Sequence, residues 1–558
     1  MIGSTTNRPI TSVHTLDDYV LLNIFFLYRL DVEDDDDSDD DYSDFIGEYN
    51  WHHERWWYKL VQVCRRWRYL ILASPSRLGL CLVCGRGTPV EDMLAHSPPL
   101  PLIIDHLHEG VETSAEDEYG IWFALQQRDR VCRIGLSMQG PNLQKLIMCM
   151  DKEFPILESL FIVSRSRDVD LTLPSTFQAP HLHRLVLLDV GLSIKSPLFT
   201  TTTGLVTLLL ANLPESTYID PDYLLGWLSY MPNLEVLAIG FRSPTLSRDV
   251  EKRSLTPITM HITLPNLHWF SFRGVSAYLE RLVAQISAPR LKKLQIQFFN
   301  QLTFTIPRLV HFISETENFM FSVLGLIFSE NGVFLTANSQ EKQRIKPFYM
   351  HIMCKHLDWQ VASVVQIFRT LLPLLSAVKN LSLAYAGDSL SAEQYHDVNR
   401  TQWHELLRPF SNVKALHVEN EIVGQLSHSL QSDDEGPPLE LLQNLKELSY
   451  SGAGNAEEVF TPLINERQAA RRPLTLSIVD DPAFHSLPQL QAKECGIAAT
   501  SGQDQSRSSD GMSLSSCLSS PSTHTHSHYS SHSHWHHDHR NPSPQRDRDT
   551  KHDPHNLS

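Results

Sequence analysis

The sequence predicts two architectures in one chain: N-terminal all-α helices, then an α/β solenoid of repeats, with a disordered tail at the C-terminus. Three observations predict this. WYKLVQVCRRWRYLILASP, Trp57 to Pro75, has helical apolar spacing; an L-x-x-L-x-L triplet of apolar positions recurs from Val131 to Tyr450; and the chain ends in Ser- and His-rich sequence.

Within the first stretch Leu60, Val63, Cys64, Trp67, Leu70 and Ile71 fall at i, i+3, i+4, i+7, i+10 and i+11, one helical stripe. Lys59, Gln62, Arg65, Arg66 and Arg68 lie off it. Proline disfavours helical geometry in the residue before it, so Ser74 and Pro75 form a stop. Upstream, TLDDYVLLNIFFLYRL carries Thr15 and Asp18 at capping-box spacing, which predicts a helix from Leu16. It bears two apolar stripes, Val20, Ile24, Leu27 and Leu21, Phe25, Tyr28. A helix apolar on most of its circumference is covered on several sides, by its own fold or by a partner.

LDDYVLLNIFFLYRL together with W-x-x-L-V-x-V-C-R-R-W-R-x-L, Trp57 to Leu70, resembles an F-box, the three-helix module that docks on the Skp adaptor of cullin-RING ubiquitin ligases. Arg65 to Leu94 is most similar to F-box-like proteins of filamentous and mushroom-forming fungi. The resemblance implies adaptor contacts from Leu16, Leu21, Leu22, Ile24, Phe25, Leu60, Val63, Cys64 and Trp67, divided between the module's own core and the adaptor. Two features depart from the pattern: Leu16 is followed by Asp17 rather than proline, and DVEDDDDSDDDYSDFIGEYN, Asp31 to Asn50, is inserted. Ten carboxylates between Asp31 and Asp44, with no basic residue among them, repel one another, so the insertion is expected to be a disordered, solvated loop. Ser38 and Ser43 within it are candidate phosphorylation sites.

The 558 residues carry a formal charge of -17, of which Asp31 to Asp44 supplies -10 and the rest -7. An acidic chain without a basic stripe is poorly suited to nucleic acid, whose affinity comes from Lys and Arg on phosphates. No run approaches 18 apolar residues and Met1 to Val13 has no apolar signal core, so a soluble intracellular protein, cytoplasmic or nuclear and without a membrane partner, is expected. Eight scattered cysteines fit a reducing compartment.

The triplets are Val131, Ile134, Leu136; Leu157, Leu160, Ile162; Leu182, Leu185, Leu187; Leu205, Leu208, Leu210; Leu234, Leu237, Ile239; Leu267, Phe270, Phe272; Leu291, Leu294, Ile296; Val378, Leu381, Leu383; Val413, Leu416, Val418; and Leu445, Leu448, Tyr450. Successive first positions lie 23 to 35 residues apart except for one gap of 87, which is expected to hide degenerate copies. The period is that of a leucine-rich-repeat-like solenoid: the last two positions of each triplet face the core from a short strand, and stacked copies give a parallel sheet. A set of unrelated βα units is the alternative. The Asn or Cys that leucine-rich repeats carry three residues past the last leucine is replaced by Arg165, Val190, Leu213, Arg242 and Val275. Outward strand positions, Arg184, Val186, Trp269, Ser271, Arg273, Lys293, Gln295, Gln297 and His417, are candidates to contact a target protein, since Trp and Arg are enriched at hot spots.

The expected divisions are 1–15 flexible N-terminus, 16–75 F-box-like with the insertion at 31–50, 76–125 connecting segment, 126–490 repeats and 491–558 disordered tail. PLTLSIVDDP, Pro473 to Pro482, is a last strand, and the tail's His-x-His pattern binds transition metals adventitiously. Cys81 and Cys84 form C-x-x-C, but no second ligand pair follows at zinc-finger distance and LGLCLVCG alternates like a strand. His404 and Glu405 begin an H-E-x-x-H that fails at Arg408. With no P-loop, G-x-S-x-G or dinucleotide fingerprint, neither an enzyme nor a cofactor is expected. The functional expectation is a substrate receptor that joins the Skp adaptor and a target protein; the alternative is a non-catalytic binding scaffold whose F-box no longer engages a ligase.

Overall fold

The computed structural model describes residues 15–33, 51–107, 113–166, 170–193, 195–242, 261–301, 303–316, 318–339, 347–386, 398–419, 422–430, 441–451 and 456–478, all within one compact unit. The expectations for the acidic stretch from Asp34 onward, Ser38 and Ser43, and for the tail from 491, lie outside the described residues.

Helix α1 spans Asp18–Glu33, α2 Trp56–Leu60, α3 Arg65–Ala73 and α4 Pro75–Leu78. The strands that follow are β1 (Leu82–Gly85), β2 (Leu102–His106), β3 (Val131–Met138), β4 (Ser159–Ser164), β5 (Leu171–Leu173), β6 (Arg184–Leu188) and β7 (Val190–Leu192). Next come β8 (Thr207–Leu213), β9 (Val236–Phe241), β10 (Ile262–Thr263), β11 (Trp269–Gly274), β12 (Ile286–Ser287), β13 (Lys293–Phe298) and β14 (Val323–Ser329). The last are β15 (Gly332–Asn338), β16 (Phe348–Ile352), β17 (Asn380–Ala386), β18 (Ala415–Glu419), β19 (Glu447–Ser451) and β20 (Thr475–Ile478).

Sixteen of these form one mixed sheet in the order β1-β2-β3-β4-β6-β8-β9-β11-β13-β16-β15-β14-β17-β18-β19-β20, and β5–β7 and β10–β12 are small separate pairs. Middle residues of the triplets align strand to strand: Ile104, Ile134, Leu160, Leu185, Leu208, Leu237, Phe270 and Leu294 are register partners in turn. The row continues through Phe348, Ala337, Leu324, Leu381, Leu416, Leu448 and Leu476. Because strand side chains alternate, this row and the next, from Leu136 to Ile478, face the same side. They pack there on helices such as Pro221–Leu228, Ser276–Val283 and Leu357–Leu375. Those helices begin where capping chemistry allows: Asp220 accepts from the Asp222 amide at 3.0 Å ahead of Pro221, and Asn399 with Gln402 forms a capping box on Arg400–Leu407.

This architecture corrects the expected fold class. The chain is not an all-α module followed by a leucine-rich-repeat solenoid but one α/β unit on a mixed sheet. Leu21, Leu22, Phe25, Trp56, Trp57, Leu70 and Ile71 from the N-terminal helices belong to the same buried cluster as the sheet rows, and β1 and β2 arise from the segment expected to connect. Nor does the 87-residue gap hold repeat copies. It holds an antiparallel meander, in which β14 turns into β15 through Glu330 and Asn331 and β16 returns to pair with β13. Chain order is thereby reversed in space between β13 and β17.

The helices also close the sheet edge. On β1, Leu82 N–H donates to Pro101 on the β2 side, so the carbonyl of Cys81 and the amide of Val83 point outward. Trp57 Nε1 donates to that carbonyl at 3.2 Å and Tyr58 Oη accepts from that amide at 3.3 Å. Helix α1 is fastened by Arg66 to Asp18 and to the Leu16 carbonyl, both at 2.6 Å, by Arg77 to Asn23 at 2.8 Å, and by Arg29 to the Leu78 carbonyl at 3.3 Å. Gly79 ends α4 at φ 61°, and its missing Cβ leaves the space that the Arg29 guanidinium occupies. Gly79→Ala should therefore lower stability by roughly 1–3 kcal/mol, through the left-handed backbone and displacement of Arg29, read as a lower urea midpoint.

Candidate protein-interaction site

Helix α1 starts two residues later than its capping-box spacing: Asp17 Oδ1 accepts from the Val20 amide at 2.8 Å, the N-cap role expected of Thr15. At 3.6 residues per turn the two apolar stripes are about 100° apart, and the structure buries Leu21 and Phe25 of one while leaving its Tyr28 and the whole of the other exposed. Leu21, Leu22 and Phe25 are buried, with Phe25 against the Trp67 ring at a centroid distance of 4.9 Å. Val20, Ile24 and Leu27 stand exposed at 36%, 42% and 62%. Tyr19, Phe26 and Tyr28 are exposed beside them, as are Val63 and Tyr69 after α2 and on α3. The Arg77 guanidinium lies 4.8 Å over the Tyr19 ring.

The nine residues expected to meet an adaptor thus divide. Leu21, Leu22 and Phe25 form the protein's own core, and Leu16, Leu60 and Trp67 are half-buried against it. Cys64 is half-buried and accepts from the Trp67 amide at 3.5 Å as the cap of α3. Only Ile24 and Val63 of the set are exposed. Val20, Leu27, Tyr28 and Tyr69 are exposed apolar residues outside that set; Val20 and Leu27 were visible as a stripe, but periodicity does not say which of two stripes faces inward.

The sheet's other face changes character along its length. From β1 to β9 it is apolar: Val83, Ile103, Phe161, Val186, Leu209, Ala211 and Ala238 cluster with Trp51 from the turn Trp51–Arg55. Trp51 sits so close to Gly135 that a Cβ there would be 2.7 Å from the ring, and Glu54, 1% exposed, pairs with Arg133 at 2.8 Å. From β11 onward polar groups take over. Register pairs Trp269 with Lys293, Ser271 with Gln295 and Arg273 with Gln297, and the Lys293 ammonium lies 4.3 Å over the Trp269 ring.

Five of the seven expected target contacts, Trp269, Arg273, Lys293, Gln295 and Gln297, are therefore brought together. Arg184 is exposed on β6, separated from β11 by β8 and β9, and His417 lies beyond β16, β15, β14 and β17. Val186, read as outward-facing, is 1% exposed inside the apolar cluster.

Sequence spacing did not reveal what anchors this face. Asp189 and Asn212, at φ 56° and 54°, sit one residue before the positions where an Asn or Cys was expected. Asn212 donates to Asp189 at 3.2 Å and accepts from Arg273 at 2.8 Å, while Arg242 reaches Asp189 and Asp170, each at 3.4 Å. Asn and Asp tolerate the left-handed region because their short polar side chains bond locally, which was the available signal. Next to it, His351 is stacked 4.1 Å from Phe334, and its Nδ1 accepts from the Gln297 amide at 3.1 Å. Burial, with a smaller contribution from Arg273, pushes its pKa down to about 3.

Other motifs have structural places. Cys84 is buried in β1, where burial pushes its thiol up to about 12, and His404 bonds the Ser429 carbonyl at 2.6 Å. Among the described residues, no group of three His, Cys, Asp or Glu is placed to hold a metal ion, and no helix is long and apolar enough to cross a membrane. Comparison with known protein families and with characterised proteins finds no match for the chain.

The His351 geometry has a pH consequence. Unfolded His takes up a proton below about 6.5 while the folded ring resists until about 3, so the unfolded state binds more protons in this window and stability falls as pH falls. The loss is about 1.4 kcal/mol per pH unit from this group. Denaturation midpoints measured from pH 7 to pH 4 should fall less steeply for His351→Gln than for the wild type.

Proposed function

We propose that the chain is a substrate receptor of a Skp-cullin-F-box type ubiquitin ligase: it docks on the Skp-family adaptor through α1 and turns the half-buried sheet face around Arg273, Gln295 and Gln297 to a target protein. The observation that carries this reading is the exposed stripe Val20, Ile24 and Leu27 on a helix whose Leu21, Leu22 and Phe25 are core. A contiguous apolar face on a helix marks an interaction site, and it lies in the segment that resembles an F-box. Trp269 and Lys293 are each only 9% exposed and back this face, while Arg273, Gln295 and Gln297 are half-buried on rigid strands; side chains held in this way lose little entropy on binding, and arginine is enriched at binding hot spots. Ubiquitin transfer itself belongs to the partner ligase, and this chain supplies proximity by raising effective concentration.

The test is binding of the full-length chain to purified Skp adaptor. Ile24→Asp with Leu27→Asp places charge on the exposed stripe and should cost about 2 kcal/mol or more, roughly 30-fold in Kd, at an unchanged unfolding midpoint. Leu21→Asp is the contrasting control: its side chain is 0% exposed, so it should unfold the helix rather than report on docking. A folded wild type that does not bind the adaptor leaves a binding scaffold outside the ligase.

A further inference from the structure

The last strands of the sheet carry an arrangement unrelated to docking. His417 on β18 and Ser449 on β19 are register partners in a parallel pair, so their side chains leave the same face. Glu419 lies two residues along β18 and shares that face. Ser449 Oγ is 2.8 Å from His417 Nδ1, and His417 Nε2 is 3.0 Å from Glu419 Oε1. The Glu419 side chain is 5% exposed and that of His417 13%, while Ser449 is half-buried.

We propose that Ser449, His417 and Glu419 form a nucleophilic site that cleaves acyl esters. The chemistry follows from which atoms bear protons. A buried carboxylate accepting from Nε2–H holds the imidazole in the tautomer with a bare Nδ1, and a bare Nδ1 accepts the Ser449 O–H. The nucleophile thus touches a base and the base touches an orienting group, with all three on strands that fix their positions. Ser477 on β20 is the register partner of Ser449, exposed on the same face, and its hydroxyl is the side-chain donor placed next to the carbonyl oxygen that would gain charge.

In the first step Ser449 Oγ bonds to the ester carbonyl carbon and its proton passes to His417 Nδ1; the ester C–O bond then breaks and the leaving alcohol takes that proton. Water attacks the acyl-serine next, giving a proton to His417, and the acid departs as Ser449 regains it. This site is independent of the α1 docking surface.

The experiment treats the full-length chain with a fluorophosphonate probe, in which Oγ–P forms as P–F breaks, and maps the label by mass spectrometry. Labelling at Ser449 is expected, lost in Ser449→Ala, which removes one oxygen atom. It should slow on the order of 10²-fold or more in His417→Gln. Glu419 is a positioning residue: Glu419→Gln should slow labelling at an unchanged unfolding midpoint, and Glu419→Asp should restore part of the rate. Hydrolysis of p-nitrophenyl acetate should follow the same order. A folded wild type that takes no label while a serine hydrolase in the same tube does would overturn the proposal. Label at Ser449 that persists at full rate without the His417 imidazole would overturn it equally.

Discussion

The row of apolar side chains that crosses every strand of the main sheet, Cys84 to Leu476, is the constraint on which the rest depends. No strand here could bury its face alone; each has four to eight residues, and its core contacts come from neighbours and from the helix layer. Alternation makes the register strict. A slip of one residue at β11 would carry Phe270 and Phe272 outward and bring Trp269, Ser271 and Arg273 into the core, leaving a guanidinium among leucines. The same alternation that buries the row therefore sets the order in which outward groups appear on the other face, including the Trp269–Lys293 stack and the His417–Ser449 pair.

That row was legible in the sequence wherever the triplet was intact. Ile134, Leu160, Leu185, Leu208, Leu237, Phe270, Leu294, Leu381, Leu416 and Leu448 were picked out by spacing and stand in register. Spacing failed where the chain stopped repeating. Phe348, Ala337 and Leu324 occupy the same row from strands running through a meander, and a period search that assumes parallel copies cannot find an antiparallel return. Asn331-Gly332, flanked by VLGLIFS and VFLTA, was the local signal for that turn. The N-terminal helices misled for another reason. Amphipathic spacing shows that a helix packs on something apolar, and it does not distinguish a partner helix in a separate module from the end of a sheet.

The candidate surfaces were legible in kind and less so in position. Alternation puts the outward strand residues of β11 and β13 on one face, but it does not set their exposure: Trp269 and Lys293 are each 9% exposed, and Val186, identical by spacing, is buried under the cluster around Trp51. The Asp189, Asn212, Arg242 and Arg273 network joins residues up to 84 positions apart, from 189 to 273, through two left-handed backbone positions. No local pattern encodes it. His417 and Ser449 are likewise 32 residues apart and meet only because β18 and β19 pair.

The β1 end of the sheet bears on how the N-terminal helices can be studied. At β1 the outward backbone groups are satisfied by Trp57 and Tyr58, residues of the very helix that leads into α3. The side chains that hold α1, Arg66, Arg77 and Arg29, come from α3, from α4 and from α1 itself. Helices and sheet edge are thus one mechanical unit, and a partner that pulled α1 away would expose unpaired groups on β1. Cutting the chain near residue 110 would do the same to β2, whose second neighbour begins only at Val131. Unpaired edges invite association with other chains. The exposed face of α1 is held by the whole sheet, so an N-terminal fragment would report on its own exposed edge as much as on α1.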